Sequence, residues 1–259
     1  VSGPGDLVAR LRAAGCVFAE DEARLLTEAA GDPVPEALVR RRVAGEPLEH
    51  LLGWAEFDGR RVGVAPGVFV PRRRTEALVH AAVAELGPGA VLVDLCCGCG
   101  AVGAAVARRV PVELHAADVD PAATACAAVN LRGLGTVHTG DLFGALPPRL
   151  RGRVTVLVAN TPYVPAGAIA AMPPEARDHE PRIALDGGAD GLDPARRVAA
   201  GAAAWLGPSG VLLIETGAAQ APVLAAVFTA HGLDARIGHD DDRDATWVLG
   251  RRPAHFCPP

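Results

Sequence analysis

Asn160, Thr161, Pro162 and Tyr163 stand in succession behind an apolar run, Val154-Thr155-Val156-Leu157-Val158-Ala159, that reads as a buried strand. An amide, a proline-restricted backbone and an aromatic ring at a strand's end can grip a planar nitrogen group. The Asn160 side-chain oxygen can accept one N–H of such a group, and the Thr161 backbone carbonyl the other. Pro162 restricts the turn, and Tyr163 can pack flat against the amide plane and exclude water. An amide nitrogen is a poor nucleophile because its lone pair is delocalised into the carbonyl. A site helps by fixing its direction and enriching its electron density; the rest is in-line alignment, a proximity effect. Asn160, Pro162 and Tyr163 are therefore the candidate catalytic residues. Taken in isolation the run equally makes a strand-to-loop turn, since Asn and Pro are common turn residues. Its place behind a late strand, with a glycine-rich turn upstream, favours the chemical reading.

That upstream turn is Asp94-Leu95-Cys96-Cys97-Gly98-Cys99-Gly100. Gly98, Gly100 and Gly103 match G-x-G-x-x-G, and Asp118 lies about twenty residues on, where a ribose-binding acid belongs. A nicotinamide-dependent dehydrogenase is thus a competitor. Asp94 discriminates, because a carboxylate at the strand's end is awkward for a pyrophosphate docking at a helix N-terminus. It suits a cofactor with an ammonium group and no phosphate, and S-adenosylmethionine is such a molecule. Asp118 would accept from both ribose hydroxyls; its competing role is a helix cap, for which Asp120, directly before Pro121, is better placed. Asp141-Leu142 could contact the adenine amine. The expected cofactor contacts are Asp94, Cys96, Gly98, Gly100, Asp118, Val119, Asp141, Leu142 and Asn160. Cys96, Cys97 and Cys99 sit inside a tight turn without a fourth ligand or a converging spacing, so no metal is expected.

The elements that must position these residues follow from periodicity. Short helices fill the first fifty residues, with Asp6 as a cap and Pro35 at a helix start. Glu56-Phe57, Asp58-Gly59 and Arg61-Val62-Gly63-Val64 read as a hairpin with a favoured Asp-Gly turn, ended by Val68-Phe69-Val70-Pro71. Beyond it, helices are predicted over 76–86, 101–109, 121–131, 193–205 and 220–231. Strands are predicted over 91–95, 113–117, 136–139, 154–159, 211–215, 235–238 and 246–249. Such alternation implies a mostly parallel sheet covered on both faces. Ligands then bind beyond the carboxyl ends of the strands, where strand order reverses, so the glycine turn and Asn160 should share one crevice. The connection over 165–190 is long, and long connections are often functional. The expected division is a helical domain over 1–53, a hairpin linker over 54–74 and a catalytic domain over 75–259.

Composition sets the outer limits. The 259 residues carry a net charge of −5, and all 25 basic residues are Arg. That balance argues against a nucleic-acid backbone as main partner, and the runs Arg40-Arg41-Arg42 and Arg72-Arg73-Arg74 read as solvated faces. No apolar run reaches the roughly 18 residues of a membrane span, and the first six residues do not look like a leader. Six scattered Cys fit a reducing, cytoplasmic setting.

With these residues in place, the chain resembles the protein-(glutamine) methyltransferases, which modify glutamine in peptide-chain release factors and a ribosomal protein. Glu46-Pro47-Leu48 to Phe57 is similar to that family's hinge. Val70-Pro71-Arg72-Arg73-Arg74-Thr75-Glu76 is similar to its Pro-Arg-x-x-Thr-Glu signature, and 94–100 with Asp118 to its cofactor loop and ribose acid. Asn160-Thr161-Pro162-Tyr163 resembles its Asn-Pro-Pro-Tyr; Glu180-Pro181-Arg182-Ile183-Ala184-Leu185 and Glu215-Thr216-Gly217 with Gln220 match further segments. The resemblance implies a doubly wound, seven-stranded Rossmann-like methyltransferase sheet with a small N-terminal helical domain. It further implies S-adenosylmethionine as donor, a protein presenting a glutamine as partner, no nucleic acid except through a translation factor, and Asn160, Thr161, Pro162, Tyr163 and Arg72 as substrate contacts. Thr161 for the first Pro, Arg73 and Arg74 for a Pro and an acid, and Cys in the cofactor loop are departures, and look like those of an actinobacterial-type paralogue. An adenine amino-methyltransferase and a non-catalytic cofactor-binding paralogue are the alternative readings.

Overall fold

The computed structural model describes residues 4–254, so the first three residues of the chain start read above lie outside them. Four helices come first: α1 (Pro4–Ala13), α2 (Ala19–Ala30), α3 (Glu36–Val43) and α4 (Leu48–Leu52). Asp6 sits inside the first turn of α1 rather than capping it. Leu7, Leu11, Ala23, Leu26 and Val39 bury one another in a small core of their own. Arg42, expected on a solvated face, is buried and pairs with Glu22 at 2.6 Å and Glu175 at 3.2 Å. Burying a guanidinium demands paired carboxylates, and here they tie α3 to α2 and to a short helix over Pro174–His179.

The hairpin follows, as β1 (Trp54–Phe57) and β2 (Arg60–Gly63). Asp58 and Gly59 both have positive φ, 56° and 68°, as a tight two-residue hairpin turn requires. Phe57 and Val62 are buried in the same apolar cluster as the main sheet. The Asn130 amide holds β2 in place, accepting from Gly63 N–H at 3.0 Å and donating to Gly63 and Cys99 carbonyls at 2.8 Å. Residues 64–72 form no strand; Val64, Val68 and Val70 are nevertheless buried, and His50 Nε2 meets the Val68 carbonyl at 2.8 Å.

Then come α5 (Glu76–Ala84), β3 (Val91–Leu95), α6 (Ala101–Arg109), β4 (Glu113–Asp118), α7 (Pro121–Asn130), β5 (Gly135–Thr139) and β6 (Val154–Ala159). A short helix, α8 (Pro174–His179), and four 3-10 segments, Leu142–Ala145, Pro148–Leu150, Ala166–Ala171 and Arg182–Ala184, structure much of the region after β5 up to residue 190. The chain ends with α9 (Asp193–Trp205), β7 (Leu206–Glu215), α10 (Ala221–Ala230), β8 (Asp234–Asp240) and β9 (Ala245–Arg251). Among the described residues the sheet has seven strands in the order β5-β4-β3-β6-β7-β9-β8. The pairs from β5 to β7 are parallel, and β9 is antiparallel to both its neighbours. Successive residues of a strand face opposite sides. Val156 and Val158 accordingly meet the cluster that holds α5, α6 and α7, and Leu157 and Ala159 the cluster that holds α9 and α10. Asp120 caps α7, its carboxylate accepting from Ala122 N–H at 2.8 Å with Pro121 at the first helical position. No helix is long and apolar enough to cross a membrane among the described residues.

Phe57→Ala should lower the unfolding free energy by about 3–5 kcal/mol in urea melts, the usual cost of emptying a buried aromatic site. A loss below about 1 kcal/mol would mean that the hairpin hangs on the sheet's core without belonging to it.

Candidate active site

Strand order reverses between β3 and β6: the chain runs β3, β4, β5 to one side and β6, β7 to the other. Leu95 pairs with Ala159 on one flank and with Ala117 on the other. Cys96, Asn160 and Asp118 therefore leave three adjacent strand ends side by side, at the place where open α/β sheets bind ligands. A cleft with about 820 Å³ of empty space, open to solvent, begins there. Cys96, Gly98 and Asp118 line one end, and Asn160, Thr161, Pro162, Tyr163 and Arg72 the other.

The glycine turn is built from unusual backbone. Cys96 (φ 55°), Gly98 (φ 53°) and Gly100 (φ 78°) are all left-handed. A Cβ added at Gly98 would meet no protein atom within 4 Å, so the loop presents bare backbone to the cleft. Gly100 serves packing instead, since a Cβ there would lie 3.1 Å from Leu131 and 3.2 Å from Ala127. Desolvation, helped by the Asp118 and Asp94 charges, pushes the Cys96 thiol far up. It stays protonated and is no nucleophile.

Asp118 is fixed by two backbone donors: Gly98 N–H reaches its Oδ2 at 2.9 Å, and Asp120 N–H its Oδ1 at 3.0 Å. Desolvation raises its pKa, and the backbone donors oppose that rise. One expectation needs correction. Asp94 is buried and does not line the cleft; its Oδ2 accepts from Gly103 N–H, in the first turn of α6, at 2.9 Å. That oxygen holds the loop to the helix. A Cβ at Gly103 would stand 3.1 Å from that oxygen, so the third glycine allows this close approach. Desolvation pushes Asp94 up to about 7, with the Gly103 N–H pulling down and Asp118 pushing up. Val119, Asp141 and Leu142 are likewise not brought to the lining: Val119 is largely exposed, Asp141 pairs with Arg197, and Leu142 opens a 3-10 turn at φ 45°.

The acceptor corner is held from beneath. Asn160 Nδ2 donates to Thr75 Oγ1 at 3.2 Å, leaving Oδ1 for the cleft. The Tyr163 hydroxyl donates to Glu215 Oε1 at 3.2 Å, and burial, ahead of the Glu215 charge, pushes the phenol far up. Gln220 Nε2 donates to the carbonyls of Tyr163 at 3.0 Å and Asp190 at 2.9 Å. Gly191, at φ 80°, lies so close that a Cβ would stand 2.3 Å from the Tyr163 oxygen. The second arginine run is only partly a solvated face: Arg73 and Arg74 are exposed, but Arg72 pairs with buried Glu180 at 2.6 Å, and Arg74 reaches buried Glu215 at 3.4 Å. Glu180 also accepts from Val70 N–H at 3.2 Å, joining the 64–72 segment to the long connection. Thr161 is 1% exposed, and its hydroxyl has no partner among the described residues.

Sequence reasoning missed several lining residues. Phe69, Met172 and Ile183 also line the cleft; Ile183 lies in a segment quoted above for its resemblance, but no local pattern marks any of the three as a contact. Glu215 and Gln220 were legible as a segment but not as supports; a charge ending an apolar strand was the available signal.

Comparison with known proteins agrees with this architecture. Residues 61–171 match the model of the methyltransferase small domain family. The chain is 38% identical to a release factor glutamine methyltransferase of Cereibacter sphaeroides, covering 95% of this chain and 96% of the relative. It is 35% identical to one of Geobacter sulfurreducens, covering 83% and 76%. It is also 40% identical to a 4-amino-L-phenylalanine/4-methylamino-L-phenylalanine methyltransferase of Streptomyces pristinaespiralis, covering 77% and 72%. Among solved structures, a methyltransferase from Pyrococcus furiosus superposes with a TM-score of 0.57 at 14% identity, covering 75% of this chain and 90% of that one. A 16S rRNA methyltransferase of T. Thermophilus, in complex with AdoMet and guanosine, gives 0.55 at 22%, covering 77% and 49%. The two superpositions bear on the fold alone.

Two measurements test the site's electrostatics. Thr161→Val keeps the shape and removes a buried, unpartnered hydroxyl, so it should raise stability by about 1 kcal/mol in thermal melts without ligand; no gain would mean that water satisfies the hydroxyl. Asp94 binds its proton more tightly when folded, so its contribution to stability is present below the ordinary carboxylate range and lost as pH rises through about 7. Asp94→Asn should therefore gain on the native protein in melting temperature between about pH 5 and about pH 8, and a pH-independent gap would contradict the burial argument.

Proposed function

The chain belongs to the release factor glutamine methyltransferase family, and on that premise we propose that it transfers a methyl group from S-adenosylmethionine to the side-chain amide nitrogen of a glutamine in a release factor or similar protein. The observation that carries the reading is that Asp118 and Asn160, one suited to a ribose and the other to an amide, line a single cleft.

The residues fit the donor. Gly98 offers bare backbone without a Cβ in the way, and Asp118, its direction fixed by two N–H groups, keeps lone pairs for two adjacent hydroxyls. Cys96 and Gly98 would hold the sugar and amino-acid part, with Val119, Asp141 and Leu142 flanking the base from the exposed rim. Asp94 acts indirectly, by fixing the loop to α6. When bound, the donor supplies an electrophilic methyl on a positively charged sulfur.

This chain's residues do the rest. Asn160 Oδ1 accepts one N–H of the acceptor amide and the Thr161 carbonyl the other, which aims the nitrogen lone pair along the line of transfer. Tyr163 and Pro162 cover the amide face and exclude water, and Phe69, Met172 and Ile183 shield the acceptor's aliphatic stem. Arg72 borders the entrance. No strong base is needed before transfer, because the cationic product sheds its proton readily. The proposed domain division has the helical unit over 1–53 and the catalytic domain over 75–259, with 54–74 packed between them. The setting proposed is the cytoplasm, where translation factors act.

The test is methyl incorporation from labelled S-adenosylmethionine into a recombinant bacterial release factor, with an aromatic amine such as 4-aminophenylalanine as a second acceptor. Labelled glutamine is the expected result, and labelling of the amine alone would overturn the acceptor. Asn160→Ala should cost about 100-fold or more in kcat with little change in calorimetric cofactor affinity. Asp118→Ala should weaken cofactor binding about tenfold or more. Full activity in both variants would refute the site map.

A further inference from the structure

We infer that Arg74 is a specificity-determining residue, and that the cleft selects an acceptor carrying a carboxylate beside the amide to be methylated. This deepens the methyl-transfer reading above and rests on it for the acceptor amide, while the charges that carry it are this chain's own.

The cleft is polarised. Asp118 and Asp120 line one end, and Arg72 and Arg74 the other. A donor with a sulfonium and an ammonium belongs at the acidic end, so the cationic end is left to the acceptor. Glu180 and Glu215 pair with the two arginines but do not line the cleft. Their side chains are 1% and 4% exposed, against 35% and 46% for Arg72 and Arg74. Each pair is therefore a dipole whose positive end meets a ligand first. Arg73, between the two, is exposed and adds a third positive charge to the same turn. A cleft lined by one sign of charge raises the local concentration of ligands of the other sign.

The two lining arginines differ in what they have left to offer. Arg72 gives an Nη to Glu180 Oε2 at 2.6 Å, with its Cζ 4.9 Å from the Phe69 ring centre. Arg74 comes closest to Glu215 through Nε, 3.4 Å from Oε1, and its Cζ lies 5.7 Å from the Tyr163 ring centre. Neither of its Nη groups has a hydrogen-bond partner among the described residues. Two free Nη groups form one edge of a guanidinium fork, which matches the two oxygens of a carboxylate. Buried Glu215 on one side and the ring on the other limit where that fork can go.

Arg74 also stands next to the acceptor corner. Its neighbour Thr75 accepts from Asn160 Nδ2 at 3.2 Å, and the Tyr163 hydroxyl donates to the same Glu215 oxygen at 3.2 Å. Adjacent residues are only about 3.8 Å apart along a chain. A carboxylate on Arg74 therefore belongs to an acidic residue next to the glutamine, or to the α-carboxylate of a glutamine at a chain end.

Synthetic peptides with one glutamine separate these sources. One pair carries Glu or Ser beside the glutamine, a third peptide carries Lys there, and a last pair ends in glutamine with a free or an amidated carboxyl. Labelled S-adenosylmethionine reads transfer, and calorimetry reads binding to protein saturated with S-adenosylhomocysteine. The Glu peptide should exceed the Ser peptide, or the free carboxyl the amidated one, by about tenfold or more in kcat/KM. The difference should lie in KM and shrink with added salt. Whichever pair shows it identifies the source, and ratios near one in both pairs overturn the proposal. Arg74→Gln should bring the ratio to within about threefold, and Arg74→Glu should turn the preference towards Lys. An arginine that served only as counter-ion to Glu215 would slow every peptide alike and leave the ratios as they were, which would overturn the role given to Arg74. Should neither variant fold, the native protein's ratios still decide. If the native protein methylates no glutamine in any peptide or release factor, the proposed acceptor fails. Calorimetry then tests the carboxylate by itself: equal or unmeasurable binding of the acid-bearing peptides refutes it.

Discussion

Parallel pairing of β3 with β6 is the contact on which the site depends. Leu95 and Ala159 sit opposite each other, so the glycine turn and the Asn160 corner leave the sheet from neighbouring strands, about 4.8 Å apart. Sixty residues of chain lie between them, yet no intervening loop has to bring them together. Hydrogen bonds of a central, fully buried strand pair fix the spacing, and central strand pairs are among the last parts of a protein to open. Donor and acceptor chemistry are thereby placed by the most rigid part of the molecule, while the loops supply only side chains.

A second constraint is the cost of buried polar groups. Irregular backbone around the cleft cannot satisfy itself as a helix or ladder does. Long-range side chains do it instead. Glu180 holds Val70 N–H and Arg72, Gln220 holds the Tyr163 and Asp190 carbonyls, and Asn130 joins β2 to the glycine turn. Each of these links elements far apart in sequence, so the site is stiffened by contacts that also complete the fold. The buried carboxylates Glu180 and Glu215 exist in partnership with Arg72 and Arg74. The arginine run beside the entrance is therefore half absorbed into the scaffold. Arg73, in the middle of the run, stays exposed.

Much of the sheet was legible because its signals are local. Helices α6 and α9 and strands β3 and β6 follow from runs of apolar residues bounded by Gly, Pro and Asp, and their bounds agree with the sequence reading. Asp58-Gly59 needed only the preference of those residues for positive φ. The segment 68–71 misled, because Val68 and Val70 are buried by tertiary packing without joining a ladder. Asp94 misled for a related reason: a carboxylate at a strand's end looks ligand-facing until the helix that follows is seen to donate Gly103 N–H to it. Arg42 and Arg72 looked solvated because their partners, Glu22, Glu175 and Glu180, lie in other elements.

The amino-acid order by itself determined the alternation of strands and helices, the glycine turn, the Asn160 corner and the expectation that the two meet. Those follow from side-chain period, backbone freedom and strand-end geometry, which each residue carries with it. Folding alone decided that Asp94 is buried while Asp118 lines the cleft, and that Thr75, Glu215 and Gln220 stand beneath the acceptor corner. Orientation and partnership of polar groups are settled by what else is within about 3 Å, and that neighbourhood does not exist until distant segments have packed.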